Sequence, residues 1–173
     1  MNRLFEQFVA GFFARHKTAC LPDGLADCTV LPQARGQRTR YLAFDAADRG
    51  RFELRPDLVL RAPDGTFSVL LDTKYKRLNE TQSSKGVAQS DLYQMFAYAH
   101  CFPSPRIVLL YPASDGGAVG EWATFRFGGA GDGTVHRVTV ATIDTRNDLR
   151  TAGDVDRMAR ELRQILTEEP EAT

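Results

Sequence analysis

The sequence predicts an α/β sandwich in which helices flank a central mixed β-sheet. Three observations lead to this fold class. Segments with helical periodicity open and close the chain, and a third lies near its middle. Apolar runs of strand length lie between these helices, and glycine and proline turn signals separate the runs. This order of elements is typical of a sheet that is covered by helices.

The N-terminal segment, residues 2–17, predicts an amphipathic helix because its apolar residues recur along one helical face. Residues 18–34 are mixed in character and contain the turn signal Pro22-Asp23-Gly24. Residues 40–44 predict a short strand.

A β-hairpin follows. Residues 51–61 alternate well enough between apolar and polar side chains to be a strand, residues 62–65 form a turn, and residues 66–76 form a second strand. Residues 78–89 are polar, and we expect them to form a mobile loop.

A second helix is predicted from Ser90 or Asp91 to about Cys101. The side chain of Ser90 or Asp91 is expected to cap its N-terminus. Pro103 and Pro105 are expected to end it.

The remaining segments complete the sandwich. Residues 106–111 are continuously apolar, which predicts a buried strand. The glycine-rich stretch 116–133 encloses a short strand around 122–127, and residues 134–143 alternate as another strand. Residues 154–167 predict a closing helix, after which the acidic terminus is expected to fray.

The bulk properties indicate one domain over residues 1–173 and place it in the cytoplasm. A chain of 173 residues is within the size of a single domain. It shows neither a signal peptide nor an apolar run long enough to cross a membrane. Its three cysteines, Cys20, Cys28 and Cys101, lack the spacing of a disulfide framework or metal site, so we interpret them as reduced thiols.

Charge is unevenly spread although the formal net charge is zero. From Arg35 to Lys85 there are eleven Lys and Arg against seven Asp and Glu, whereas residues 144–173 carry five Arg against eight acids. A basic middle is what a phosphate-binding cleft requires. On charge alone, a solvated surface with chance clustering is the favoured alternative.

The hairpin carries the candidate chemistry. Strand side chains alternate between faces, so Asp72 and Lys74 are expected to project from the same side. If strand pairing brings Asp57 opposite Asp72, two carboxylates and an ammonium converge. The alternative is a plain ion pair of Asp72 with Lys74 or with Arg55, because a D-x-K tripeptide alone is weakly specific.

The surroundings of Asp72 favour a metal site. Asp72 follows an apolar run, and a buried carboxylate is costly unless it is paired or binds a metal. Hard oxygen ligands suit Mg²⁺ or Mn²⁺. Lys74 is then expected to orient or activate water, or to stabilise charge on phosphate.

The second helix adds a polar stripe. Asp91, Gln94 and Tyr98 share one face, where Gln94 and Tyr98 are expected to brace Lys74 or hold phosphate, whereas Asp91 is expected to be an ordinary solvated residue. The opposite face is apolar and consists of Leu92, Met95, Phe96 and Ala99. Glu6 borders the apolar stripe of the first helix, where it could reach a metal or be a plain boundary glutamate.

Taken together, these motifs resemble the nuclease domain of McrC, the cleavage subunit of the McrBC restriction system. The motifs are Leu4-Phe5-Glu6, Arg55-Pro56-Asp57, Asp72-Thr73-Lys74-Tyr75-Lys76 and the run 90–98, Ser-Asp-Leu-Tyr-Gln-Met-Phe-Ala-Tyr. They cover roughly residues 1–111. The resemblance implies the PD-(D/E)xK superfamily, with a restriction-endonuclease-like fold and a RecB-like Gln-x-x-x-Tyr helix.

The resemblance also implies residue roles and a cofactor. The implied ligands of Mg²⁺, or of Mn²⁺ in its place, are Asp57, Asp72, the carbonyl of Thr73, and Glu6 directly or through water. Lys74 is the implied catalytic lysine. Gln94 and Tyr98 are the helix motif beside the site, and Lys76 is an extra cation without an assigned role.

The implied partners are DNA and a second protein. McrC proteins carry an N-terminal part that engages the AAA+ motor McrB, whereas this sequence begins almost at the first motif. We therefore expect either a stand-alone effector or a subunit of a defence complex with a McrB-like motor or another component. The docking surfaces are expected at residues 78–89 and 116–133, and oligomerisation is left open.

Two other functions compete with a metal-dependent endonuclease. One is a catalytically idle member of the same fold that binds DNA or assists assembly, although the presence of Asp57, Asp72 and Lys74 argues against it. The other is a small-molecule hydrolase. The sequence has no Gly-x-Ser-x-Gly motif for such an enzyme, and its only candidate bases are His16, His100 and His136.

Overall fold

The computed structural model describes residues 2–34, 39–102, 106–127 and 136–167. Within these ranges the helices are α1 (Asn2–Cys20), α2 (Gln89–Cys101) and α3 (Ala152–Thr167), with a short 3₁₀ turn at Asp23–Leu25. The strands are β1 (Thr29–Pro32), β2 (Arg40–Phe44), β3 (Gly50–Leu54), β4 (Leu58–Arg61), β5 (Phe67–Thr73), β6 (Ile107–Pro112), β7 (Gly120–Phe127) and β8 (His136–Ile143).

The expected mixed α/β sandwich is confirmed. Six strands form one sheet in the order β1-β4-β5-β6-β8-β7. Strands β5, β6 and β8 run parallel, whereas β1, β4 and β7 pair antiparallel with their neighbours. Strands β2 and β3 form a separate antiparallel pair.

Helices cover both faces of the six-stranded sheet. On one face, α1 and α3 pack over inward side chains such as Leu58 and Leu71. On the other face, α2 packs over side chains such as Val59 and Leu70. The central strands therefore bury both faces, which explains their continuous apolar sequence.

The β4–β5 register positions the candidate site. Leu58 pairs with Leu71, so one further residue along this antiparallel pair brings Asp57 beside Asp72. The hairpin prediction is confirmed. The second strand nevertheless ends at Thr73, so Lys74 and Lys76 lie in the segment that follows it.

The prediction of a single strand over residues 51–61 was wrong. Two strands, β3 and β4, occupy this range, and Arg55-Pro56-Asp57 separates them. Because proline has no N–H to donate, a strand ladder is interrupted there. Strand β3 pairs with β2 instead, and the guanidinium of Arg40 fastens this pair to the core by stacking over the Phe67 and Phe102 rings.

The predicted capping of α2 was also wrong. Ala88 occupies the N-cap position and provides no side-chain cap, while Ser90 and Asp91 lie inside the helix. The predicted apolar face holds only in part, because Phe96 is 49% exposed. The predicted stops Pro103 and Pro105 lie outside the described residues.

The other helices and strands lie close to their predicted bounds. α1 contains one non-helical residue, His16, and continues beyond its predicted end at residue 17 to Cys20. The strand β1 was not predicted. Residues 128–135 and the acidic terminus from residue 168 lie outside the described ranges, so the structure does not test the predictions for these residues.

The polar segment 78–89 is a loop, as predicted, and it is anchored at both ends. Leu78 and Val87 are buried, and the indole of Trp122 donates to the carbonyl of Lys85 at 3.0 Å. Gly86 has a φ of +79°, and a Cβ there would lie 2.2 Å from the backbone nitrogen of Asn79. None of the helices in the described ranges is long and apolar enough to cross a membrane.

Candidate active site

Asp57 is held at the end of β5 by two hydrogen bonds. Its Oδ2 accepts from the backbone N–H of Thr73 at 2.7 Å and from the Thr73 hydroxyl at 2.6 Å. In a strand the N–H and C=O of one residue point to the same side, so the Thr73 carbonyl faces towards Asp57. This fixed carboxylate lies where the hairpin register predicted it.

Asp72 is the buried acid of the site, with a residue exposure of only 2%. Its Oδ2 accepts a hydrogen bond from the ammonium of Lys74. Its Oδ1 lies 3.3 Å from the Tyr98 hydroxyl and 3.4 Å from the Gln94 amide nitrogen. The structure therefore brings together the residues that the hairpin and the second helix were expected to contribute.

Burial is the main cause that raises the pKa of both carboxyl groups, and a neighbouring carboxylate adds to it at each, Asp57 at Asp72 and Glu6 at Asp57. The pKa of Asp72 is raised to about 6, mainly by burial and then by the charge of Asp57, while Lys74 acts in the opposite direction. Burial also raises the pKa of Asp57, against the lowering effect of the Thr73 hydrogen bonds. Two carboxylates arranged in this way are stabilised in their charged form by a cation that lies close to both.

A chain of hydrogen bonds orients Lys74. Its ammonium donates to Gln94 Oε1 at 2.8 Å, and the Gln94 amide donates to the Tyr98 hydroxyl at 2.7 Å. The Tyr98 hydroxyl in turn donates to the carbonyl of Arg55 at 2.9 Å. Burial raises the pKa of the Tyr98 phenol, which therefore stays protonated and remains a donor. Gln94 therefore contacts Lys74 directly and Tyr98 holds Gln94 in place, while their roles in catalysis stay predictions.

Glu6 lies close enough to Asp57 for its charge to raise the pKa of that carboxyl. Its Oε1 accepts from the side-chain amide of Gln33 at 2.7 Å, and the backbone N–H of Gln33 donates to the carbonyl of Asp57. Gln33 thus connects Glu6 to Asp57, which the sequence did not reveal. The predicted role of Glu6 at a metal stays a prediction.

The donor set can be compared with the needs of Mg²⁺. Among the described residues, no three His, Cys, Asp or Glu side chains converge as a metal-binding group. Mg²⁺ does not require three, because it keeps several waters and binds proteins through one or two carboxylates and substrate phosphates. The repelling pair Asp57 and Asp72, with the Thr73 carbonyl beside them, is a hard-oxygen set of that kind.

Sequence reasoning misjudged Asp91. It was expected to be solvated, yet its exposure is 6%. Both of its carboxylate oxygens accept from the Lys76 ammonium, at 2.9 and 3.1 Å, and the Tyr111 hydroxyl donates to Oδ2 at 3.2 Å. This ion pair gives Lys76 a partner and ties α2 to the segment after β5. One feature of the sequence indicated that Asp91 lies near the site, namely that it shares a helix face with Gln94.

Comparisons with known proteins bear on these motifs. A family model described as "McrBC 5-methylcytosine restriction system component" matches residues 1–112. Among solved structures, a chain from the refined half-complex of a tetradecameric assembly of Thermococcus gammatolerans McrB AAA+ hexamers with bound McrC is similar, with a TM-score of 0.59 and 18% identity. The match covers 96% of this chain and 33% of that chain, so this chain spans about a third of its length. No curated protein matches.

Proposed function

Because this chain belongs to the McrBC 5-methylcytosine restriction system component family, we propose that it is a metal-dependent DNA endonuclease with Asp57, Asp72 and Lys74 at its catalytic centre. One observation supports this most strongly. A carboxylate that is almost fully buried, Asp72, lies between a second carboxylate and an ammonium at the end of a central strand. Groups with perturbed pKa values and specific charged partners are characteristic of catalytic sites.

The proposed cofactor is Mg²⁺, for which Mn²⁺ can substitute. Its ligands would be Asp57, Asp72 and the carbonyl of Thr73, with Glu6 joining directly or through water. When bound, the metal would lower the pKa of a coordinated water and offset the negative charge of the phosphate.

The protein's own contribution centres on Lys74. An ammonium has three donors, and within the described residues two are used by Asp72 and Gln94. The third is available to a water molecule or a phosphate oxygen. Because the Lys74 side chain is only 13% exposed, its charge acts in a medium of low dielectric, where it stabilises developing phosphate charge more strongly than in bulk water.

We also propose that targeting depends on a protein partner, with a McrB-like AAA+ motor as the leading candidate. The formal net charge is zero, so counterion release alone gives the chain only a low affinity for DNA. The solved relative comes from an assembly of McrB AAA+ hexamers with bound McrC. We expect the chain alone to cut DNA slowly and to bind it weakly, which a gel-shift series in salt would measure.

The decisive experiment is incubation of supercoiled plasmid with the chain, alone and with a McrB-like partner, in Mg²⁺, Mn²⁺ or EDTA. We expect cleavage only with metal, and none by Asp72→Asn. Asp148→Asn is the matched control, because Asp148 is a carboxylate that pairs with Arg150 on the surface. Cleavage in EDTA, or at the wild-type rate by Asp72→Asn, contradicts the proposal. No cleavage under any condition favours the idle assembly subunit.

A further inference from the structure

Two adjoining cavities open beside the catalytic centre. One, of about 350 Å³, lies between α1 and the segment after β5, and the other, of about 280 Å³, lies across the carboxyl ends of β5, β6 and β8. Both are lined by Tyr75 and Thr145. We call the pair the Tyr75 groove and define it by Leu4, Phe8, Tyr75, Lys76, Arg77 and Arg146.

The first end of the groove is apolar and exposed. Tyr75 is 44% exposed, and Leu4 is 65% exposed. Behind Tyr75 lies the buried Phe5 ring, with ring centroids 5.9 Å apart. The side chain of Asn2 accepts from the backbone N–H of Tyr75 at 3.2 Å. An accessible ring that is supported from behind and fixed at its backbone is suited to stack on a flat, apolar ligand.

The second end of the groove is cationic. Its lining contains Lys76, Arg77 and Arg146 against one acid, Asp115. The Lys76 and Arg146 side chains are 44% and 53% exposed, although Lys76 pairs with Asp91 and Arg146 pairs with Asp144, both outside the lining. Arg146 also lies 3.8 Å from the carboxylate of Asp115 within the lining. These pairs reduce the positive field, but they hold both cations in place. Arg77 is exposed and forms no ion pair with a described residue.

An aromatic platform followed by fixed cations matches the chemistry of a nucleotide in a single strand. Bases stack on aromatic side chains, and the adjoining phosphates bind a positively charged groove. In a duplex the faces of each base are covered by its neighbours, so Tyr75 can stack only on a base that has left the helix. Tyr75 directly follows Lys74 in the chain, so the groove and the catalytic centre lie at the same carboxyl end of β5.

We infer that the Tyr75 groove binds an unpaired nucleotide of the DNA strand that is cut, with its base on Tyr75 and its phosphate at Lys76, Arg77 and Arg146. This inference rests on the proposed function, since it gives the groove the same substrate as the catalytic centre. It specifies that the strand is locally single-stranded beside the cut. It also makes Tyr75 a binding residue with no part in the chemistry.

The test is fluorescence anisotropy of a labelled oligothymidine strand with the purified chain in EDTA at low ionic strength, where no cleavage occurs. Tyr75→Ala should weaken binding between about 5-fold and about 100-fold, the range for loss of one stacked base. Tyr75→Phe, which keeps the ring, should bind as the wild type does. Phe44→Ala, which removes an exposed ring in β2, is the matched control and should also bind normally.

Charge gives a second, independent measurement. Arg77→Ala should lower the slope of log Kd against log salt by about 0.7, the value for one phosphate contact to a single strand. Arg150→Ala, a substitution of an exposed arginine elsewhere, should leave the slope unchanged. Thermal unfolding of each variant checks that the fold is intact.

Three outcomes overturn the inference: no binding of the strand by the wild type, wild-type affinity in Tyr75→Ala, or an equal loss for single-stranded and duplex DNA. None of them depends on metal or on Asp72. Failure here therefore leaves the endonuclease proposal standing. If the chain binds the strand through Tyr75 but never cleaves DNA, the endonuclease proposal is contradicted and the binding role of the Tyr75 groove is supported.

Discussion

Replacing Asp72 by asparagine should stabilise the metal-free protein at neutral pH. In the folded chain the Asp72 pKa is raised from 3.8 to about 6, chiefly because its charged form is desolvated. That difference corresponds to about 3 kcal/mol, at about 1.4 kcal/mol for each pH unit. Asparagine has nearly the same shape and no charge, so Asp72→Asn should regain at most that amount. For a chain of this size the gain raises Tm by up to roughly 10 °C.

The pH dependence of this gain follows from the direction of the shift. Below pH 3.8 Asp72 is neutral in both the folded and the unfolded chain, so it imposes no penalty. Between pH 3.8 and about 6 the unfolded chain ionises while the folded chain keeps its proton, so the wild type loses stability as pH rises. Above about pH 6 the full loss of wild-type stability that ionised Asp72 causes is present.

Thermal melts followed by circular dichroism at pH 4 and pH 8, in EDTA, measure the effect. The Tm of Asp72→Asn should exceed that of the wild type at pH 8, and the two should converge near pH 4. Asp148→Asn should show no gain, because its arginine partner lowers the pKa of Asp148. The reasoning is refuted if Asp72→Asn is no more stable at pH 8, or if its advantage is equally large at pH 4.

Three further predictions concern the same centre. Lys74→Ala should lower the single-turnover cleavage rate by a factor of about 10² or more while gel-shift affinity changes little; normal turnover with poor binding would contradict its assigned role. Tyr98→Phe should lower the free energy of unfolding, measured in urea, by about 1–2 kcal/mol, because the lost hydroxyl donates to the Arg55 carbonyl and accepts from Gln94. An unchanged midpoint of urea unfolding would show that these hydrogen bonds do not contribute to stability. At fixed Mg²⁺ the cleavage rate should rise with pH through about 6, as Asp72 loses the proton that competes with metal; a flat pH–rate profile between pH 5 and 7 would separate metal binding from Asp72.

The sequence predicted the centre of the molecule well because the relevant patterns are local. Two runs of strand length and the turn between them specify a hairpin, and the hairpin register brings Asp57 to Asp72. The helical spacing of Gln94 and Tyr98 likewise places the two side chains side by side, so that Gln94 contacts Lys74 and Tyr98 contacts Gln94. The proximity of these groups is confirmed, whereas their catalytic roles stay predictions.

What the sequence did not predict depends on partners that are distant along the chain. Asp91 is buried because Lys76 and Tyr111, which lie on other segments, supply donors to it. The strand β1 is short, lies at the sheet edge and is only partly buried, so its residues lack a clear alternation. The division of residues 51–61 follows from a competing partner, since β3 pairs with β2 outside the main sheet.

The pairing of β1 with β4 has a consequence for how this architecture can diversify. Pro32 pairs with Leu58, and the backbone N–H of Gln33 donates to the carbonyl of Asp57 at 2.7 Å. The chain therefore leaves and re-enters the main sheet at one point, and the β2–β3 pair between these positions forms an inserted module. The entropic cost of closing such a loop grows slowly with its length. Modules of different size can thus be exchanged at this junction while the register that fixes Asp57 is preserved, which brings each new module directly against the reaction centre.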